Sequence, residues 1–220
     1  MKFIPLLLLI VLSSCTGNSY LENYHKAKKC FSAKKYAQSL NLLNTGISDN
    51  PEFIDGYLLR AKVKLHLADT SGALNDYKWV ANRLDTENTY AFYELARMNR
   101  LLQYNRRALK YIELAIATKG SDVVWVENNR GLLRGPVYNV DMHKLLFQRG
   151  KIRYQMNDFE NALRDFDRCT SSTYRMKESN YFSGNCLIEL GYPDAAYEAY
   201  QEASDWGSLK ADSVLKLFHE

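Results

Sequence analysis

Glycine and proline are scarce in this 220-residue chain, with 11 and 4 residues respectively. An all-β fold needs these residues at its many tight turns, so the composition favours long helices instead. The chain also lacks any run of five or six like charges, and its net charge is only +4. Nucleic-acid-binding domains are usually more basic, so no nucleic-acid partner is expected. The 46% of hydrophobic residues suffices for a buried core and excludes wholesale disorder.

The first 14 residues read as a signal peptide. A short basic start is followed by an apolar run from residue 3 to residue 12, interrupted only by Pro5, and by two serines. This order is typical of secretory signals, which are removed from the mature protein. The apolar run is only about half as long as the roughly 20 residues that a membrane-spanning helix needs.

The tetrapeptide Leu-Ser-Ser-Cys that ends at Cys15 resembles the lipobox of bacterial lipoproteins. The resemblance implies that Cys15 carries acyl chains such as palmitate, with residues 15–19 as a tether. Thr16 resembles signals that allow transfer to the outer membrane. Two or three chains anchor stably at about 0.8 kcal/mol per buried methylene, whereas one chain binds reversibly. An ordinary signal peptide that ends beside a cysteine is the alternative.

Three further cysteines are present, Cys30, Cys169 and Cys186. An odd number argues against a disulfide framework. Each falls at a helix-packing position of the repeat described next, where a small buried hydrophobic residue fits. A bridge between Cys169 and Cys186 remains the alternative.

A small residue followed four positions later by a large apolar one recurs along the chain. The pairs are Ala73 and Tyr77, Ala108 and Ile112, Ala162 and Phe166, and Ala196 and Tyr200, with a weaker copy at Ser39 and Leu43. Successive small residues are 34 or 35 positions apart, except for one interval of 54. A period near 34 predicts an array of helical hairpins.

A second small residue lies twelve positions before each of these, on another predicted helix: Ala27, Ala61, Ala96, Gly150 and Gly184. Small residues on both helices allow a close approach, and the large residue fills the space one turn away. Neither helix can bury its apolar stripe alone, so neighbouring hairpins are expected to stack.

This pattern resembles the tetratricopeptide repeat. The best copies are Phe159, Ala162, Phe166 and Cys169 in one unit and Gly184, Gly191, Ala196, Tyr200 and Ala203 in the next, whereas Ser39, Gly46 and Val80 depart from the pattern. The resemblance implies an all-α superhelix over 20–220. Its expected parts are hairpins at 20–51, 54–86, 89–120, 143–174 and 177–206, an insertion at 121–141 and a capping helix at 207–220.

The resemblance also implies a concave face lined by the first helix of each hairpin. One position on that face carries a basic row, Lys28, Lys62, Arg97 and Lys151, and another carries an aromatic row, Tyr24, Tyr93, Phe147 and Tyr181. Such rows favour an acidic protein or peptide partner. The alternative is that the rings pack between hairpins and the bases are merely solvated. The carboxylate clamp of chaperone-binding relatives is not matched, because Tyr24, Lys28 and Leu59 occupy its first positions.

The insertion at 121–141 is a second candidate binding segment. Long loops within compact arrays usually bind something or pack back on the scaffold. Its residues Trp125, Arg130 and Tyr138 are of the types that anchor interfaces. Partner contact and self-packing remain equal alternatives.

Catalytic and metal-binding motifs are not found in the sequence. No two of the four histidines are three or four residues apart, as a helical metal pair requires. No phosphate-binding glycine loop or nucleophile elbow occurs, so neither a cofactor nor a metal is expected. Asp165 and Asp167, on either side of Phe166, are expected to form surface ion pairs.

These observations predict a lipid-anchored, non-enzymatic scaffold in the bacterial cell envelope. We expect it at the outer membrane, facing the periplasm or the surface, where it binds another envelope protein or peptide. Two alternatives remain open: a structural subunit of an outer-membrane assembly or secretion complex, and an envelope enzyme whose site is built from distant residues.

Overall fold

A computed structural model of the chain describes residues 19–118 and 140–218. Over these residues the protein consists of eleven α-helices without any β-strand, which confirms the all-α prediction. The helices are α1 Ser19–Ser32, α2 Tyr36–Asp49, α3 Ile54–His66, α4 Thr70–Trp79, α5 Thr89–Leu101, α6 Asn105–Ala117, α7 Met142–Gln155, α8 Phe159–Thr170, α9 Met176–Glu189, α10 Pro193–Asp205 and α11 Leu209–Leu217. A π-helical segment, Val80–Leu84, directly follows α4.

The chain divides into two compact units, with the boundary in the sequence between Asp85 and Thr86. In the first unit, α1 to α4 pack in chain order, and α1 also touches α3. In the second unit, α5 to α11 pack in chain order, and α5 touches α7, which in turn touches α9. Within each unit, helical hairpins therefore stack so that the first helices of neighbouring hairpins are in contact.

Each hairpin reverses direction through a residue in the left-handed conformation. These residues are Lys34, Ala68, Gln103, Asn157 and Gly191, with φ between 59° and 82°. The residue after each one donates its N–H to the carbonyl five positions back, as Tyr104 does to Asn99 at 2.9 Å. This pattern closes the end of the first helix.

The small residues of the repeat are buried in the core, and two hairpins show the predicted contact between a small and a large residue. Ala27, Ala61 and Ala96 are fully buried on the first helices. A Cβ atom added to Gly150 would lie 2.9 Å from Cε1 of Phe166, and one added to Gly184 would lie 2.6 Å from Cε1 of Tyr200. In these two hairpins the aromatic ring therefore occupies the space that even an alanine side chain would need.

In each of two hairpins, a buried carboxylate on the second helix binds basic side chains of the first helix. Asp165 on α8 is 1% exposed and accepts hydrogen bonds from Arg149 (2.6 and 2.9 Å) and Arg153 (2.7 Å) of α7. Asp165 thus forms ion pairs as predicted, but they are buried and not on the surface as expected. Asp167 is exposed.

Asp76 of α4 repeats this arrangement at the same sequence spacing. It accepts from Arg60 at 2.7 and 2.9 Å and lies 2.8 Å from Lys64, both on α3. We call each such trio, one aspartate and two basic residues of the same hairpin, a hairpin clamp.

The three cysteines that the structure describes are free thiols. Cys169 and Cys186 are both buried, and burial raises the pKa of each thiol to about 12. They therefore stay protonated at neutral pH and act as small packing residues. The alternative, a disulfide bond between Cys169 and Cys186, is not formed. Across residues 19–118 and 140–218, no helix combines the length and the apolar character that crossing a membrane requires.

Candidate functional site

On the predicted face of the first unit, the aromatic residue packs on the protein itself. Tyr24 is half-buried and meets Phe53 edge-on, with 5.1 Å between ring centroids. Lys28 is exposed, and its Nζ atom lies 5.5 Å from the centroid of the Tyr24 ring. Lys62 on α3 is half-buried. This unit therefore fits the packing alternative for Tyr24.

In the second unit, the predicted aromatic row is largely part of the core. Tyr93 of α5 and Phe147 of α7 are buried, whereas Tyr181 of α9 is half-buried. Phe147 packs edge-on against Phe166 and Phe182, with ring centroids 5.8 and 6.1 Å apart. Burial raises the pKa of Tyr93 to about 12, and the neighbouring Glu94 adds to this shift. We call the side of the second unit that α5, α7 and α9 form the first-helix face, and these rings form its floor.

Cations lie over this aromatic floor. Lys144 Nζ is 4.6 Å from the Tyr93 centroid, and the Arg175 guanidinium is 4.8 Å from that of Phe147. Lys151 Nζ is 5.5 Å from Phe147 and 5.8 Å from Phe182. Lys210 Nζ is 5.8 Å from Tyr181. These distances lie within the range of cation–π attraction. Of these cations, only Lys151 was predicted from the sequence.

The charge of this face is incompletely balanced. Arg97 is paired with Glu94 at 2.8 Å, and Arg175 is paired with Glu178 at 2.7 Å. Lys151 and Lys210 form no salt bridge with any residue that the structure describes, and neither does Arg100 of α5.

Burial, and to a smaller extent the neighbouring positive charges, destabilise the protonated form of Lys151. Burial lowers the pKa of Lys151 to about 8, and repulsion from Arg100, Arg175 and Lys210 adds to the shift. Burial also lowers the pKa of Arg100, and repulsion from Arg97 adds to this shift. The buried Nε atom of Arg100 has no hydrogen-bond partner within the described ranges. Chemically, this face is suited to bind an anion.

Other predicted features lie outside the described residues. These are Cys15, the signal peptide at 1–14, and Trp125, Arg130 and Tyr138 of the insertion. Among the residues that are described, no group of three His, Cys, Asp or Glu side chains is placed to hold a metal ion.

Large apolar side chains are exposed at the tips of the hairpins in the second unit. Leu101 and Tyr104 flank the turn between α5 and α6, and Tyr192 precedes α10. Each is more than half exposed. Leu209, at the start of α11, is 80% exposed. Tyr192 and Leu209 lie at opposite ends of α10, so these side chains are separate exposed apolar positions and do not form one patch.

Known proteins support the repeat interpretation. The family model "Tetratricopeptide repeat" matches residues 143–173 and 177–206. No curated protein sequence is significantly similar to the chain.

Several solved structures share the fold. The crystal structure of YrrB, "a TPR protein with an unusual peptide-binding site", is 16% identical, with a TM-score of 0.70 over 90% of this chain and 92% of that one. MamA from Desulfovibrio magneticus RS-1 is 11% identical, with a TM-score of 0.71 over 87% and 96% of the two chains. PilW, a "widely conserved type IV pilus biogenesis factor", is 11% identical, with a TM-score of 0.64 over 84% and 76%. Residues 143–173 and 177–206 thus match the tetratricopeptide repeat, within a chain that has the helical-hairpin fold of solved tetratricopeptide-repeat proteins.

Proposed function

We propose that this chain is a non-enzymatic scaffold of the bacterial cell envelope, anchored by lipid on Cys15, that binds an acidic protein or peptide partner. The binding surface is the first-helix face of the second unit. The observation that carries the proposal is the set of cations there, Arg100, Lys151 and Lys210, that form no salt bridge with any described carboxylate. Repeats of this class commonly serve as protein-binding scaffolds, and their stacked helices provide extended binding surfaces.

The proposed mechanism is presentation of a stiff surface near the membrane. An acylated Cys15 would lie only a few residues before α1, which begins at Ser19. Confinement to the membrane surface raises the effective concentration of the scaffold toward partners held in the same membrane. Binding and proximity then suffice for function, without chemistry at the site.

The binding surface can be tested by photo-crosslinking in cells. A photoreactive residue in place of Tyr181, beside the cations, should yield a discrete crosslinked product containing an acidic segment of one partner. The matched control is the same substitution at Lys110, an exposed position on α6. An identical product from both positions, or none from Tyr181, would contradict binding at the first-helix face.

The anchor can be tested by fractionation. Cys15→Ala should move the protein from the membrane pellet to the soluble fraction, because the acylation site is lost. Cys30→Ala, which changes a cysteine within α1, should leave the protein in the pellet. If the Cys15 variant still sediments with membranes after a high-salt wash, lipid anchorage is wrong.

The exposed apolar residues at the hairpin tips favour a second candidate, a structural subunit of an outer-membrane assembly or secretion complex. Large apolar side chains that are exposed to water can serve as contacts for a partner protein, and Tyr104 and Tyr192 are each more than half exposed at the tips of two hairpins. Extraction in mild detergent followed by mass measurement separates the two functions. The structural role would be favoured by a stable stoichiometric complex that is lost when Tyr104→Ser or Tyr192→Ser is introduced.

A further inference from the structure

The first hairpin concentrates basic side chains in one short stretch of the chain. Lys26, Lys28, Lys29, Lys34 and Lys35 lie on α1 and on the turn that follows it, and residues 26–35 contain no acid. All five lysines are exposed. By contrast, α10 carries four acids and no base. The positive charge is therefore gathered locally, and we call these five residues the α1 basic surface.

The lysines of α1 lie on the side of the helix that faces away from the hairpin core. Ala27 is fully buried in the apolar cluster that α1 forms with α2 and α3. Because an α-helix turns by about 100° per residue, Lys29 lies almost opposite Ala27, with Lys26 and Lys28 on either side of it. The apolar side of α1 is thus used in packing, while its outer side presents positive charge to solvent.

The α1 basic surface has few carboxylate partners. Lys26 lies 2.6 Å from Glu22, one turn earlier on α1. The other four lysines form no salt bridge with any residue that the structure describes. The second acid of this hairpin is Asp49, at the last position of α2, where it accepts a hydrogen bond from Ser19 at 2.8 Å. Five bases against two acids leave the hairpin clearly positive.

The proposed lipid anchor would hold this surface close to a membrane. Cys15 and Ser19, the first residue of α1, are four residues apart, and four residues of chain span at most about 14 Å. Lys28 follows Ser19 by nine residues, which is about 14 Å along the helix axis. With Cys15 in the membrane, α1 can therefore lie along the surface, and its lysines then come within the roughly 8 Å over which charges interact at physiological salt.

We propose that the α1 basic surface docks on the anionic phospholipid headgroups of the membrane that holds Cys15. The inference rests on the lipid anchor of the proposed function and adds a second contact, which lays the first hairpin along the membrane. Headgroup phosphates complement the positive charge, and each lysine near such a surface strengthens binding about fivefold. Because the apolar side of α1 is buried in the hairpin, the contact is electrostatic and does not insert into the bilayer.

The test uses the full-length protein, purified from membranes in mild detergent and reconstituted in vesicles. A photoreactive residue in place of Ser32, an exposed position at the end of α1, reports contact with lipid. Lipid adducts should be at least about tenfold more abundant in vesicles of phosphatidylcholine and phosphatidylglycerol than in vesicles of phosphatidylcholine alone. The excess should disappear at about 1 M salt, where the screening length falls to about 3 Å.

Substitution of the lysines separates docking from anchoring. The triple variant Lys28→Gln, Lys29→Gln and Lys35→Gln should lower the adduct yield in phosphatidylglycerol vesicles at least about tenfold, because three of the five charges are lost. The variant should still float with the vesicles, since Cys15 is unchanged. Its Tyr181 crosslink to a partner in cells should also persist, because the first-helix face of the second unit is unchanged.

The matched control is the triple variant Arg106→Gln, Arg107→Gln and Lys110→Gln, which removes three exposed charges from α6 and should leave the yield unchanged. Circular dichroism verifies that both triple variants are folded. Equal yields from the two kinds of vesicle, or from the two triple variants, overturn the docking. A protein crosslinked to position 32 in cells, without any lipid adduct, would assign the surface to a protein partner and would also overturn it.

Failure of the anchor gives a different result from failure of the docking. If Cys15 carries no acyl chain but the α1 basic surface docks, the protein floats only with vesicles that contain phosphatidylglycerol. If the anchor is present but the surface does not dock, the protein floats with both kinds of vesicle and position 32 yields equally few adducts in each.

Discussion

Replacing Asp165 with alanine should destabilise the protein by about 3–5 kcal/mol. The carboxylate is 1% exposed and receives three hydrogen bonds from Arg149 and Arg153. Its removal leaves two guanidinium groups, each mostly buried, without their counter-charge. Urea denaturation at pH 7, followed by circular dichroism, measures the loss.

Two variants control for this effect. Asp167→Ala removes the same side chain two residues further along α8, at a position outside the hairpin clamp, and should cost less than about half as much as Asp165→Ala. The triple variant Arg149→Met, Arg153→Met and Asp165→Leu should recover most of the loss, because well-packed apolar groups can replace a buried ion cluster at little cost. Equal stabilities of Asp165→Ala and Asp167→Ala would show that the hairpin clamp contributes nothing.

The second large effect is expected from Gly184→Val. Even the first side-chain atom at this position would lie 2.6 Å from the Tyr200 ring. Tyr200 is buried and donates a hydrogen bond to Asn185 at 2.8 Å, which limits how far its ring can move. Overpacking of this kind costs about 3 kcal/mol, so the urea midpoint should fall.

The rescue for this variant is a smaller residue at position 200. Tyr200→Leu alone should destabilise the protein because it removes buried ring area. Combined with Gly184→Val, it should cost clearly less than the sum of the two single changes, since the valine then fills the vacated space. Strictly additive free energies of unfolding would mean that the two side chains do not compete for space.

The repeat positions could be predicted from sequence because a helical hairpin imposes the same small and large residues in every copy. Gly184 and Tyr200, for example, are linked by a spacing that recurs along the chain. The basic face was predicted only in part. Lys151 occupies a repeated position, but Arg175 lies in the turn before α9 and Lys210 on α11. Sequence periodicity carries no information about residues that occur once and meet only through packing.

The hairpin clamp was missed for a different reason. When only α8 is considered, Asp165 is one carboxylate beside the core residue Phe166, and such a residue is expected on the surface. The available signal was the repetition of the trio itself: Arg60, Lys64 and Asp76 have the same spacing as Arg149, Arg153 and Asp165. Two copies of one charge pattern at equivalent repeat positions indicate a shared structural role.

Both helices that supply the clamp around Asp165 belong to one hairpin. The attraction between Asp165 and the two arginines, and the loss of their hydration, therefore do not depend on a neighbouring hairpin. Shortening the protein at a hairpin boundary would strip away apolar stacking but would orphan none of these three charges. The clamp thereby makes the hairpin a self-contained electrostatic module, one that could be moved, duplicated or deleted during evolution without leaving an unneutralised ion in the interior.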